Sequence, residues 1–348
     1  MSVAYRKNNM ENDTKSEMAD LGPAVTIVET CVCLLLNIIS LNGNFLVCLA
    51  VYKNSRLRTT TNIYIIGLAL TDLLSATFVM PFTSGVLITR KWPYGNLYCN
   101  IQAFLVNFGL FTSTSIMGLT AFNRYVRIVH TNRYNNIFSR FKSRTILASL
   151  CVIIASYIAI PGLTGLQNFE FVPEYATCHI THASEELMIV HYCVVVFFFL
   201  VFPFSLATFC YVKVFRTITQ HNLEVAPNLQ SRIRDAQITT QEIKISKSLF
   251  VVVLGFGMCW IPAWMLALIM RFSAFPSLPR EFFLIHTALV FLSSSTNVFI
   301  YAGMNNSFKA EFRRLLSCEI RVKLSAKVSP NFGGRRPVEL RFPRKFSG

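Results

Sequence analysis

The chain has 348 residues, of which 53% are hydrophobic and only 14% charged, against roughly 25% charged in an ordinary soluble protein. Its 33 Lys and Arg outnumber 17 Asp and Glu and leave a formal net charge of +16. A soluble domain this apolar would present greasy patches to water and associate without limit, so soluble enzymes, disulfide-rich secreted modules and disordered tails are excluded. The apolar residues fall in blocks, each close to the roughly 20 residues that cross a bilayer.

Seven such blocks are predicted, over 29–52, 63–88, 99–123, 145–166, 187–215, 248–270 and 282–303. They predict an all-α membrane protein, a seven-transmembrane helix bundle over 29–303. A segment over 1–28 precedes it, and a short amphipathic helix over 304–317 and a basic tail over 318–348 follow. In that short helix Phe308, Phe312, Leu315 and Leu316 repeat at helical spacing against Lys309, Arg313 and Arg314, the pattern of a helix lying on a membrane surface. Residues 1–20 are polar and lack the apolar core of a signal peptide, so the first block is expected to direct insertion.

Basic residues set the expected orientation. Of the 33 Lys and Arg, 26 lie in the segments after blocks 1, 3, 5 and 7, counting Lys213 at the end of block 5. Basic loops stay in the cytoplasm, which puts the N-terminus outside. The positive charge is then an orientation signal, with attraction to membrane lipids, and no nucleic-acid partner is expected. Other functions lack their signatures. There are no paired interrupted helices for a transporter, no polar stripe for a channel, and no metal-ligand or nucleophile–base spacing for an enzyme.

Location sorts the ten cysteines. Seven lie inside apolar blocks, where a thiol behaves as a small hydrophobe. Cys318, just beyond the amphipathic helix, is a candidate for lipidation or a plain free thiol. Only Cys99 and Cys178 stand at outer aqueous positions, where oxidation favours a disulfide. Asn12 heads the outer sequon Asn12-Asp13-Thr14 and is a glycosylation candidate.

Polar residues inside apolar blocks are costly and point to function. Asp72 has Asn44, Ser113 and Asn297 as expected neighbours. A carboxylate among hydroxyl and amide oxygens suits a hard cation; the alternative is a neutral Asp that binds helices together. Arg124, in Asn123-Arg124-Tyr125, stands 25 residues after Cys99, about 37 Å along a helix, hence at the cytoplasmic end. Pro262 interrupts block 6, and Glu242 precedes it by 20 residues, about 30 Å. Arg124 and Glu242 therefore share a depth. They either pair across the inner mouth or end as two solvated side chains.

Together these landmarks resemble the rhodopsin-like G protein-coupled receptors. The resemblance covers about residues 29–318 and is carried by Gly43-Asn44, Leu68-Ala69-Leu70-Thr71-Asp72, Cys99, Asn123-Arg124-Tyr125, Pro203 with Tyr211, Cys259-Trp260-Ile261-Pro262, and Asn297 through Tyr301. Three positions depart from the usual pattern: Asn123 for Asp, Val298 for Pro, and Val152 near the central Trp of helix 4. Asn123 and Val298, with the stretches Gly43–Asn62 and Phe171–Cys178, are similar to melatonin receptors and their orphan relatives. Gly162, His182 and Phe199 stand where those carry Asn, Gln and His, which argues against melatonin itself.

The resemblance implies a plasma-membrane receptor that couples an outside ligand to heterotrimeric G proteins, and no enzyme. It implies a ligand wall of Gln102, Val106, Asn107, Leu110, His182, Val195, Phe199, Trp260, Trp264, Thr287 and Phe291. It implies a sodium ion as allosteric ligand at Asp72, Ser113 and Asn297, with no other cofactor or metal. The coupling switch it implies comprises Asn123, Arg124, Tyr125, Tyr211, Glu242, Pro262 and Tyr301. The wall holds no carboxylate, and Val106 would leave a ligand ammonium unpaired at a cost of several kcal/mol. A small neutral, partly aromatic ligand fits better. The alternative is a cationic peptide on the acidic outer loop of Glu170, Glu174, Glu185 and Glu186.

Overall fold

A backbone in hydrocarbon must satisfy its N–H and C=O groups within its own segment, which makes each apolar run a helix. A computed structural model carries this through, among the described residues, for seven helices long and apolar enough to cross a membrane. It describes the backbone of residues 22–225, 240–272 and 279–327, and the side chains of 22–220, 242–270, 272 and 279–317. Asn12 and the side chain of Cys318 lie outside these residues. The chain divides into two compact units, one ending at Phe312 and the other covering Arg313–Gly348.

Span 1 is Pro23–Lys53, with Pro23 at its first turn, where a missing N–H costs nothing. Span 2 is broken at Val79 into Thr60–Phe78 and Met80–Thr89. Pro81 lacks the N–H that would continue the helix, so one block of sequence becomes two helical pieces. Span 3, Gly95–Val129, is the longest unbroken α-helix among the described residues. Span 4, Arg140–Leu163, stops short of the expected 166, because Thr164 caps it and Gly165 turns to φ 76°. Span 5 comprises Glu185–Val195, a wide turn of π-helical type over Val196–Val201, and Phe202–Val225. Such wide turns relieve the hydrogen bond that a following proline, here Pro203, cannot make. Span 6 is Thr240–Phe272 and span 7 Arg280–Met304. Val152 of span 4 is 65% exposed, so the expected place of a buried Trp faces outward.

The spans close on one another where side chains are small. A Cβ added at Gly43 would lie 2.7 Å from the methyl groups of Val298. The unusual residue of span 7 thus seats directly on span 1. After Asn305, a last helix runs over Asn306–Lys327, past the expected end at 317. No Gly or Pro occurs between 318 and 329 to stop it, and propensity carries the helix on. Within the first unit its Phe308 and Phe312 are buried, Phe308 stacked on Tyr301 at 5.8 Å.

One element was not expected. The segment after span 4 forms an antiparallel ribbon, β1 (Gln167–Val172) with β2 (Thr177–His182), in which Phe171 pairs with Cys178.

Candidate functional site

Three layers of buried polar and aromatic groups lie along the bundle. The first sits at the end carrying Arg124, which is 3% exposed. Its Nη1 donates to Glu242 Oε2 at 2.9 Å, and Arg127 Nε donates to the other oxygen of the same carboxylate at 3.2 Å. Arg124 Nη2 donates to Thr61 and, at 3.3 Å, to Asn123 Oδ1. Asn123 is neutral but engaged, since its carbonyl also accepts from Thr61 at 3.1 Å and its amide donates to Tyr134 at 3.3 Å. The guanidinium is thus held between spans 2, 3 and 6. Tyr211 and Tyr301 are buried, and among the described residues the Tyr211 hydroxyl has no hydrogen-bond partner. Tyr125 points elsewhere, its hydroxyl 2.9 Å from His130.

The second layer surrounds Asp72, which is 4% exposed. Asn297 Nδ2 donates to Asp72 Oδ2 at 3.0 Å. Ser113 lies 3.4 Å from Thr71 rather than on the carboxylate. Asn44 turns to the carbonyls of Ser40 and Ser294, at 2.9 and 3.1 Å. Ser294 also reaches the Asp72 carboxyl. The carboxylate and two hydroxyl-bearing side chains suit a hard cation. The Asn297 amide, however, presents its N–H rather than its oxygen.

At the opposite end the ribbon dips into the bundle. Cys178 is disulfide-bonded to Cys99, with Cα atoms 5.5 Å apart. Gln102 accepts from Cys178 N at 2.9 Å and reaches span 2 through Val79 O and Thr83 Oγ1, both at 3.4 Å. Its amide is therefore occupied in clamping β2 to two spans. The turn between the strands carries Tyr175, whose carbonyl accepts from Thr287 at 3.1 Å. The Tyr175 ring packs on His179, Phe283 and His286, with centroids 4.3, 5.0 and 5.3 Å away. Ala176 is 1% exposed at φ 53° and packs in one core with Phe291 and Val106. A non-glycine residue in the left-handed region costs about 1 kcal/mol or more, and this burial offsets it. Burial, and next to it His286, lowers the pKa of His179 to about 3. Its imidazole is neutral and its Nε2 lies 2.8 Å from Thr177 Oγ1.

The residues at 162, 182 and 199 each lie against an aromatic neighbour of their own. A Cβ at Gly162 would lie 2.9 Å from the Phe169 ring, so β1 fills the space a larger side chain would need. His182 packs on His191 at 4.7 Å, and His191 Nδ1 is 3.1 Å from the Tyr157 hydroxyl. Phe199 stacks on Phe111 at 4.3 Å. Of the expected ligand wall, Val106 and Phe291 share one core, and other members touch the ribbon or their own neighbours. Asn107 donates to Ala103 O at 2.8 Å and Val195 is buried, while Leu110 is half-buried. Trp260 and Trp264 are buried, and among the described residues their indole N–H groups lack hydrogen-bond partners, as does Nδ1 of His286.

Thr61, Arg127, Ser294, Tyr175 and the bidentate pair of Arg280 with Glu29, at 2.7 and 2.9 Å, were not foreseen. Only the alternation around Phe169 and Phe171 signalled a strand.

Comparisons with known proteins agree with this geometry. Residues 43–301 match the family described as 7 transmembrane receptor (rhodopsin family). The melatonin receptor type 1A of Phodopus sungorus is 30% identical over 285 residues, covering 80% of this chain and 77% of that protein. The melatonin receptor type 1A-A of Danio rerio is 24% identical over 351 residues, covering 96% and 97%. Squid rhodopsin shares the fold at a TM-score of 0.74 and 18% identity, covering 90% of this chain and 94% of that one.

Proposed function

Because the chain belongs to the rhodopsin family of seven-transmembrane receptors, a family of receptors rather than enzymes, we propose that it activates heterotrimeric G proteins in response to an extracellular ligand. Its N-terminus lies outside, in the plasma membrane, and the Arg124 end faces the cytoplasm, as the basic loops require. The observation that carries this reading is the Arg124–Glu242 pair at 2.9 Å. It ties span 6 to span 3 where a crevice for the G protein must open. Activation swings the inner end of span 6 outward about Pro262, breaks the pair and frees Arg124 for the partner.

The ligand is small, neutral and partly aromatic. Support comes from the apolar surroundings of Val106 and Phe291 and from the indole N–H groups of Trp260 and Trp264. An acceptor oxygen on the ligand would satisfy such a donor, whose unpaired burial costs about 1–3 kcal/mol. Melatonin is disfavoured by the packing of Phe169 on Gly162. The ribbon docked over the wall favours a second reading, a cationic peptide engaging the acidic outer loop from above. Sodium held by Asp72 and Ser113, with the Asn297 amide turned to offer its oxygen, stabilises the resting form, so it lowers agonist affinity through linkage.

Receptor in lipid nanodiscs, mixed with purified heterotrimeric G proteins and screened against a broad ligand collection, tests the proposal. Ligand-dependent guanine-nucleotide exchange is expected. Ionic current across a planar bilayer without any exchange would overturn it.

A further inference from the structure

Most neighbouring spans pack closely, but spans 5 and 6 touch sparingly. Between them, toward the Arg124 end, lies a cavity of about 530 Å³, within the range of about 300–1,000 Å³ typical of small-molecule sites. Its floor is apolar: Tyr211, Phe215 and Phe250 line it, with the Phe250 ring 5.2 and 5.1 Å from the other two. Arg216, Thr219 and Gln220 line its other end. Arg216 is exposed and forms no ion pair among the described residues, and Lys213 stands beside it over the Phe209 ring at 5.9 Å. Lys244 and Lys247 are exposed on span 6. At the floor Tyr211 is 2% exposed, and its hydroxyl has no hydrogen-bond partner among the described residues.

We infer that this groove binds an anionic phospholipid of the inner leaflet, with its phosphate on Arg216 and one acyl chain along Tyr211, Phe215 and Phe250. The inference rests on the orientation proposed above. Charge selects the occupant. A guanidinium at the membrane surface is best met by a phosphate, and the inner leaflet supplies anionic lipid. A soluble anion would leave the aromatic floor unfilled, and a zwitterionic lipid, although it carries a phosphate, would bring an uncompensated choline cation beside Arg216 and Lys213. The floor joins Tyr211 of span 5 to Phe250 of span 6, and the groove exists while Arg124 and Glu242 are paired. Lipid that prefers this form stabilises it, because a ligand shifts a two-state equilibrium by its differential affinity.

Receptor in phosphatidylcholine nanodiscs is doped with phosphatidylserine or phosphatidylcholine carrying a photoreactive acyl chain, and cross-linked peptides are mapped. The serine lipid is expected to label the peptides containing 211–220 and Phe250 several-fold more than the choline lipid. Arg216→Gln should abolish that preference, lowering serine-lipid labelling far more than choline-lipid labelling. Val212→Trp, which fills the groove and keeps every charge, should lower labelling by both. Equal labelling of wild type by the two probes, a preference that survives Arg216→Gln, or no labelling at 211–220 would overturn the site. The readout needs no G protein, so a receptor that labels as expected yet fails to drive nucleotide exchange sinks the coupling proposal alone.

Discussion

The two ends of the bundle are held by different physics. At one, a few directed bonds converge on a single guanidinium: Arg124 reaches Glu242, Thr61 and Asn123, and Glu242 also holds Arg127. At the other, a ribbon is pressed into the helices by a disulfide, by aromatic contacts and by separate hydrogen bonds through Gln102, Gln167 and Thr287. Directed charge contacts are broken by removing one group, which suits a two-state switch. Shape-filling contacts are spread over many residues and change piecemeal with sequence, which suits a surface that diverges in what it recognises. Relatives of similar fold can therefore share the first end and differ at the second.

The largest expected effect breaks the ribbon end alone. The Cys99–Cys178 bridge closes a sequence separation of 79 residues, and loops of this size gain about 4 kcal/mol from closure. Cys99→Ser should lower the thermal unfolding temperature of solubilised receptor and its surface expression, with exchange of amides 167–182 accelerated most. Uniform acceleration at both ends would contradict the separation.

A smaller effect sharpens it. Gly162→Asn drives a Cβ against Phe169 at 2.9 Å, and such overpacking costs about 1–3 kcal/mol. The thermal stability lost should return, at least in part, in Gly162→Asn with Phe169→Ala, because the second change vacates the space. If the double variant is no more stable than the single, Phe169 is not the obstacle.

Acid should act on the ribbon end next. His179 is held neutral, its pKa lowered to about 3 by burial and then by His286; Glu170 faces it across the ribbon register. Freed, its pKa would return to about 6.5. The docked ribbon thus keeps full stability above that value and loses it as pH falls, by at most about tenfold in docking equilibrium per pH unit. Hydrogen exchange at 177–182, corrected for its intrinsic pH dependence, should quicken from about pH 7.5 to about pH 5.5. His179→Phe should flatten the response.

Legibility in the sequence followed the same divide. The spans were readable because lipid demands long apolar runs, although the helices extend beyond them, as span 3 does from Gly95 to Val129 around the block 99–123. Hydrocarbon fixes the middle of a helix, while caps and loop contacts fix its ends. Arg124 and Glu242 could be matched because helical rise converts residue counts to depth. Arg127 and Thr61 could not, since a basic residue at a helix end and a threonine in a helix are ordinary there. The ribbon was obscured by its turn. Pro173-Glu174-Tyr175-Ala176 has no glycine, and Ala176 takes the left-handed conformation that glycine usually supplies. Tyr175, an unremarkable loop residue in sequence, gains its role only from the spans that meet it.

The central claim is that one carboxylate restrains the switch. Glu242 is 21% exposed and its partner Arg124 3%, so the pair is worth about 1 kcal/mol, a several-fold shift in population. Basal guanine-nucleotide exchange in cells expressing Glu242→Ala, at surface density matched to wild type, measures it directly. The account predicts a several-fold rise without ligand, abolished when Arg124→Ala is added. Basal exchange equal to wild type in the single variant would contradict it.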